Sequence, residues 1–291
     1  MPELAEIKIM SDYINENSKG RTFTKMYHVE KGNIPVDSKL IENFKIEADT
    51  NGKELIVKMY HDDTCINLSV FMGMSGNWLF TPTETWSNRK FTRMRLDTTD
   101  GNSLLLYGLY MGPKYRVGGF TGVKRGVDPT KDFETFKKNV LDNLDKKVFD
   151  KPICEALLEQ KYFNGIGNYL RSTILYYLDA NPFEQARKVI KDFPNVLELC
   201  RDIPMKAYEL NGGQLQDWSN PFDTDYEAFR EWVFYQKGLC CTDKTGRTFW
   251  FDEKWIDFCP YEIKVNKYFK EYSEQDMQFT GVEPEHSAQS V

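Results

Sequence analysis

The sequence predicts an α+β protein: an N-terminal helix, a β-domain, a linker, a helical domain and a closing hairpin. Three observations predict it. Between residues 21 and 111 the chain runs in short alternating segments rich in β-branched and aromatic residues, the signature of half-buried strands. From 112 to 132 glycine and proline collect around Lys124 and Arg125, as in a linker. From 133 onward apolar residues return at helical spacing. These shifts divide the chain into 1–112, a linker over 113–132, a helical domain over 133–238, a hairpin over 239–260 and an extension over 261–291. The polar, acidic end after residue 281 is predicted to be disordered.

With 291 residues and 41% hydrophobic content, the chain can bury two ordinary cores, and its sequence reads as a soluble intracellular protein with neither membrane span nor secretory leader. A formal charge of −6 argues against a general polyanion binder, so any nucleic-acid role needs a local basic groove. The six cysteines, at 65, 154, 200, 240, 241 and 259, show no repeated C-x-x-C spacing. Adjacent Cys240 and Cys241 cannot reproduce zinc-ligand spacing with Cys259, so neither a disulfide scaffold nor a metal is expected.

The elements follow in order. Leu4, Ile7, Met10 and Ile14 give residues 3–16 one apolar helical side, and Pro2 suits a first turn. Strands are predicted over 22–29, 44–48, 54–60, 65–71, 91–96 and 103–111, as a sandwich or barrel-like unit. Asn51-Gly52-Lys53 reads as a hairpin turn, and Gly73-Met74-Ser75-Gly76 as a tight loop after a strand. Helices are predicted over 133–144, 152–160, 167–178 and 182–192. Another opens at the capping box Thr224-Asp225-Tyr226-Glu227 and stops before Gly238. Residues 239–251 form the hairpin, turning at Asp243-Lys244-Thr245-Gly246.

The stretch Phe163-Asn164-Gly165-Ile166-Gly167-Asn168-Tyr169-Leu170-Arg171 carries the chemistry of the helical half. Gly165 and Gly167 lie in a turn between helices and bring backbone N–H groups to a helix start, where the Asn168 amide can help hold a phosphate oxygen. Together with Phe149-Asp150-Lys151-Pro152-Ile153-Cys154-Glu155-Ala156-Leu157-Leu158 and Asn181-Pro182-Phe183-Glu184-Gln185-Ala186-Arg187, it resembles the helix–two-turns–helix segment of the formamidopyrimidine-DNA glycosylase/endonuclease VIII family. The likeness is to the vertebrate endonuclease VIII-like enzymes whose finger lacks zinc, and it spans about residues 2 to 255.

The resemblance implies a β-sandwich catalytic domain, a helix–two-turns–helix domain and a zincless finger. It implies that Pro2-Glu3, with Glu6 three residues on as a base-pocket candidate, is the catalytic end, although Leu4-Ala5 stands where the family continues Gly-Pro. It assigns the essential lysine to Lys53, a stack-filling wedge to Met74, and phosphate contacts to Asn168 and Arg247, the latter in Gly246-Arg247-Thr248. An arginine–phenylalanine wedge pair is expected near residues 109–116. The region reads Leu109-Tyr110-Met111-Gly112-Pro113-Lys114-Tyr115-Arg116, leaving Lys114, Tyr115 or Arg116 as substitutes. In Gly212-Gly213-Gln214 a neutral Gln214 replaces the basic residue of the lesion-reading loop.

The chemistry is coherent with those residues. An α-amino group with a pKa near ~8 is largely available as a nucleophile at neutral pH, unlike a lysine at about 10.4. A secondary amine at C1′ condenses to an iminium that is cationic without protonation and drives elimination of phosphate. The expected activity is a bifunctional DNA N-glycosylase and abasic-site lyase for oxidised bases, acting by β,δ-elimination in base excision repair without a cofactor. The expected partner is damaged DNA, with single-stranded or bubble lesions preferred because the wedge pair is missing. The protein is expected to act as a monomer, in the nucleus of a eukaryote or otherwise in cytoplasm. The alternatives are a DNA-structure binder of the same fold whose catalysis has lapsed, and an acidic interaction protein without nucleic acid.

Overall fold

A computed structural model describes residues 2–29, 34–35, 42–88, 91–108, 113–117, 125–213, 226–235 and 237–268. Helix α1 (Leu4–Ser18) follows Glu3, whose backbone N–H donates to the Glu6 carboxylate at 2.7 Å. Its apolar side serves two cores at once. Leu4 and Ala5 pack into the helical half, while Ile7, Met10 and Ile14 pack into the β-domain. The helix is therefore the rigid joint that carries the N-terminus to the boundary between them.

The β-domain is a sandwich of two antiparallel sheets. One comprises β1 (Phe23–His28), β2 (Ile34–Pro35), β6 (Asn77–Pro82), β7 (Thr92–Thr98) and β8 (Asn102–Tyr107), in the order β2-β1-β7-β8-β6. The other comprises β3 (Lys45–Asn51), β4 (Glu54–His61), β5 (Thr64–Phe71) and β9 (Lys114–Val117), in the order β3-β4-β5-β9. Strand β4 alternates cleanly, with Leu55, Val57 and Met59 inward, and Asn51 pairs with Glu54 so that Gly52 and Lys53 form the turn.

Three strands of the sandwich, β2, β6 and β9, fall outside the sequence expectation. β6 ends in Pro82, tolerated because this strand lies at the sheet edge. β9 lies inside the stretch read as linker and pairs with β5 through Phe71 and Lys114. Tyr115 on β9 stacks on His28 with ring centroids 5.4 Å apart, and its hydroxyl contacts the His28 ring, which ties this wedge candidate to the sandwich. Leu109, Tyr110, Met111, Gly112, Gly118, Gly119, Gly122, Lys124, Gln214 and the Thr224-Asp225 cap lie outside the described residues.

The helical half contains α2 (Phe133–Leu141), α3 (Ile153–Ala156), α4 (Asn168–Leu178), α5 (Ala186–Asp192), α6 (Val196–Glu209) and α7 (Tyr226–Arg230). The helix expected over 152–160 is only α3. The chain then turns, and the Gln160 side chain donates to Ile166 O at 2.9 Å and accepts from Gly165 N at 3.1 Å. Helix α5 likewise starts later than expected, since 181–185 forms a turn from which Glu184 O accepts the Ile153 N–H at 2.9 Å. Helix α6 was concealed by Pro204 in its interior, yet Val196, Leu197, Cys200, Ile203, Pro204 and Ala207 form its buried face. Past α7 a π-helical segment, Glu231–Tyr235, leads to the finger. There β10 (Leu239–Thr242) and β11 (Thr248–Phe251) form the expected hairpin, and β12 (Ile263–Val265), from the expected extension, adds a third strand beside β10.

Candidate active site

The N-terminus meets α4 through Glu3. Gly167 caps this helix, and in its first turn the N–H groups of Tyr169 and Leu170 donate to the two Glu3 carboxylate oxygens at 3.1 and 3.2 Å. The helix start thus already holds an internal anion. This corrects the expectation that those N–H groups stand open to a phosphate; half-buried Asn168 lines the cavity beside Gly167 and Tyr169. Leu4, where the family pattern has glycine, packs against Gly165: a Cβ there would lie 2.6 Å from Leu4 Cδ1.

Glu6 is buried and fully engaged. One carboxylate oxygen accepts the Glu3 N–H, and the other accepts the Tyr169 hydroxyl at 2.8 Å and the Gly213 N–H at 2.9 Å. Burial pushes the Tyr169 hydroxyl well above its ordinary pKa, reinforced by the Glu6 and Glu3 charges, so it stays a donor. Pro2, also buried, directly precedes this carboxylate pair.

Lys53 reaches the same place from the other domain. Its turn is clamped by Gly52 N donating to Asp128 at 2.9 Å and by Asn164 Nδ2 donating to Asn51 Oδ1 at 2.9 Å and to Gly126 O at 2.8 Å. Lys53 Nζ donates to Ile166 O at 2.8 Å, inside the interhelical turn. Burial brings its pKa down to about 8, opposed by the Glu3 charge and aided by Arg247 and Arg125. Burial raises the Glu3 carboxyl, with Glu6 adding to the rise, while Lys53 and the two N–H donors pull it back. The two groups are therefore an acid/base pair whose pKa values are driven toward each other by one desolvated site.

Glu3, Glu6, Lys53, Asn168 and Arg247 all line one cavity of about 400 Å³. Met74 does not line it. It stands 46% exposed on the turn after β5, a position suited to reaching into something outside the protein. Six further lining residues had no site role in the sequence reading: Tyr226, Phe229, Arg230, Phe234, Trp250 and Tyr268. Phe229 packs edge-on against Tyr169 at 5.4 Å, and Phe234 against Trp250 at 4.9 Å. The spacing of Tyr226, Phe229, Arg230 and Phe234 at i, i+3, i+4 and i+8 is the signal that identifies this face. The result is an aromatic-walled cavity with carboxylates and an amine at its base and cations near its rim, suited to a flat heterocycle attached to a phosphodiester. Among the described residues no group of three His, Cys, Asp or Glu side chains is placed to hold a metal.

The comparisons agree with this architecture. Residues 1–109 match the formamidopyrimidine-DNA glycosylase N-terminal domain. Endonuclease 8-like 1 of Homo sapiens is 31% identical, over 86% of this chain and 72% of the relative, and that of Mus musculus is 32% identical with the same coverage. The MutM (Fpg) protein of Thermus thermophilus has the same fold, with a TM-score of 0.70 at 19% identity, covering 87% of this chain and 98% of that one. A Lactococcus lactis FPG mutant in complex with a Fapy-dG containing DNA aligns with a TM-score of 0.71 at 19% identity, covering 87% and 99%. Helix α1 joining a sandwich to a two-turn helical domain, together with these alignments, gives the conclusion that the chain belongs to the formamidopyrimidine-DNA glycosylase/endonuclease VIII family.

Proposed function

We propose that this family member is a bifunctional DNA N-glycosylase and abasic-site lyase that removes oxidised bases through an iminium at Pro2. The observation that carries the reading is the convergence of Glu3, from the N-terminus, on the first turn of α4 and of Lys53, from a β-turn, on the interhelical turn just before it, inside a cavity lined by Asn168 and Arg247. A damaged nucleotide rotated from the stack would bring its base among the aromatic walls and its C1′ to the buried end.

With Met1 removed, the Pro2 nitrogen lone pair forms a bond to C1′ as the glycosidic bond breaks and the base departs with the bonding pair, the Pro2 N–H proton passing to the departing base. Glu3, whose carboxyl is raised by burial, serves as the general acid that delivers a proton to the ring oxygen as the sugar opens, leaving the C1′ iminium. The Glu3 carboxylate then takes a C2′ proton, the iminium accepts the electron pair while the 3′-phosphate leaves, and a second elimination expels the 5′-phosphate. Lys53 contributes positive charge beside the sugar, and Asn168 and Arg247 hold flanking phosphates. Action as a monomer is part of this reading. The missing wedge pair supports a preference for single-stranded or bubble lesions.

The test is a labelled oligonucleotide carrying one abasic site. Products ending in phosphate on both sides of a one-nucleotide gap are expected. An intact strand, bound with steep salt dependence, would instead favour the binder without catalysis.

A further inference from the structure

We propose that the buried Arg171–Asp243 ion pair is a positioning device that fixes the Arg247 backbone to the helix carrying Asn168, setting the spacing of the two phosphate contacts. The inference rests on the reading of Arg247 as a phosphate contact. A short hairpin is marginal on its own, and the β10–β11 turn must hold its geometry by other means. Asp243 supplies them. One carboxylate oxygen accepts the Thr245 N–H at 2.8 Å, the Thr245 hydroxyl at 2.6 Å and the Arg247 N–H at 3.2 Å. The Asp243 N–H donates to Arg247 O at 3.0 Å.

The other oxygen accepts from Arg171 Nη1 at 2.5 Å, with both side chains fully buried. Arg171 sits one turn after Asn168 in α4 and donates further to Cys154 O at 2.7 Å and to Thr248 O at 3.1 Å, while its guanidinium lies 5.2 Å from the Phe249 ring centroid. Burial opposes ionisation of Asp243, but the Thr245 hydroxyl and Arg171 outweigh it and hold the carboxyl below its ordinary pKa. A buried pair of this kind is costly as a source of stability alone. Here the remaining hydrogen bonds of the two members go to backbone of α3, β11 and the turn and to the Thr245 hydroxyl, so the pair links three elements. Arg247 itself is exposed at the end of this turn.

The experiment measures affinity for duplex DNA bearing a tetrahydrofuran abasic analogue across a series of salt concentrations. It uses the full chain and the variants R247A, D243N and D243N/R247A. Each released counterion contributes a slope near ~0.9, so R247A is expected to lower the slope by about one phosphate contact and weaken binding roughly tenfold. D243N is expected to lower the slope by the same amount, and the double variant to match the weaker single one. The slope reports the folded, binding-competent molecules, so partial unfolding does not mimic the result. If D243N yields no folded protein, T245A removes one bond to the same oxygen and should give a smaller slope loss that vanishes in the R247A background. A wild-type slope in both D243N and T245A, or additive losses in the double variant, overturns the positioning role. A wild-type slope for R247A overturns the phosphate reading of Arg247 and the proposal with it.

Discussion

Gly167→Ala perturbs the junction between the two halves at one atom. The Gly167 backbone is extended, with φ of −130°, so alanine meets no conformational penalty there. The added Cβ would lie 2.2 Å from Glu3 Cδ and 2.3 Å from one Glu3 oxygen. That is more than ~1 Å inside the optimum for carbon contacts, and the flexible Glu3 side chain is what gives way. Both N–H bonds to Glu3 are then lost. Charge-assisted bonds are worth about 1.5–3 kcal/mol each, but the displaced carboxylate regains solvation and escapes Glu6, so we expect a net stability loss of about 1–3 kcal/mol. In a protein of this size that lowers Tm by about 5 °C. Catalysis suffers far more, because a reacting group displaced by about 1 Å typically costs 100-fold. Single-turnover cleavage of an abasic oligonucleotide, read beside Tm and DNA affinity, separates these effects. Turnover within threefold of wild type would refute the assignment of Glu3 to the reaction.

The remaining predictions concern the amine, the lysine and the wedge. Replacing Pro2 with threonine is expected to abolish reductive trapping through a secondary amine while DNA affinity, measured by titration, stays within a few fold. The lowered Lys53 pKa, about 8, predicts a rate that falls roughly tenfold per pH unit above that value, and K53Q should remove this limb. Between about 8 and 10.5 the folded chain binds fewer protons at this lysine than the unfolded chain, so its contribution to stability rises with pH through that window and is least favourable below it. Thermal melts at pH 7 should therefore show K53M more stable than wild type and less active, and an unchanged or lower Tm would count against the desolvated-lysine reading. Met74→Ala should slow turnover on matched duplex more than on single-stranded lesions; equal slowing of both would remove the wedge role.

The α+β class, α1, the Gly52-Lys53 turn, α4 and the finger hairpin were all legible, because each is written in local periodicity or turn chemistry. What escaped is tertiary in origin. Pro204 breaks the helical pattern of α6 on paper but is offset by the buried face around it. Strand β9 looks like linker because its alternation becomes a strand only through pairing with β5. The family resemblance named Glu3, Lys53, Asn168 and Arg247, and the cavity brings them together. It did not reveal that Glu3 occupies the start of α4, since those partners lie 166 and 167 residues apart. Asp128 carried no local signal, and although Asn164 and Asp243 lie in stretches read as turns, their clamping of the Lys53 turn and the finger is explained only by what they touch.

Everything proposed for this site turns on attack of the N-terminal proline at C1′. The most direct test is to incubate protein whose N-terminus has been verified by mass with an oligonucleotide containing one abasic site, add borohydride, and map the adduct. The expected result is a reduced covalent adduct on Pro2. An adduct on Lys53 alone, or none from protein that begins at Pro2, would contradict it.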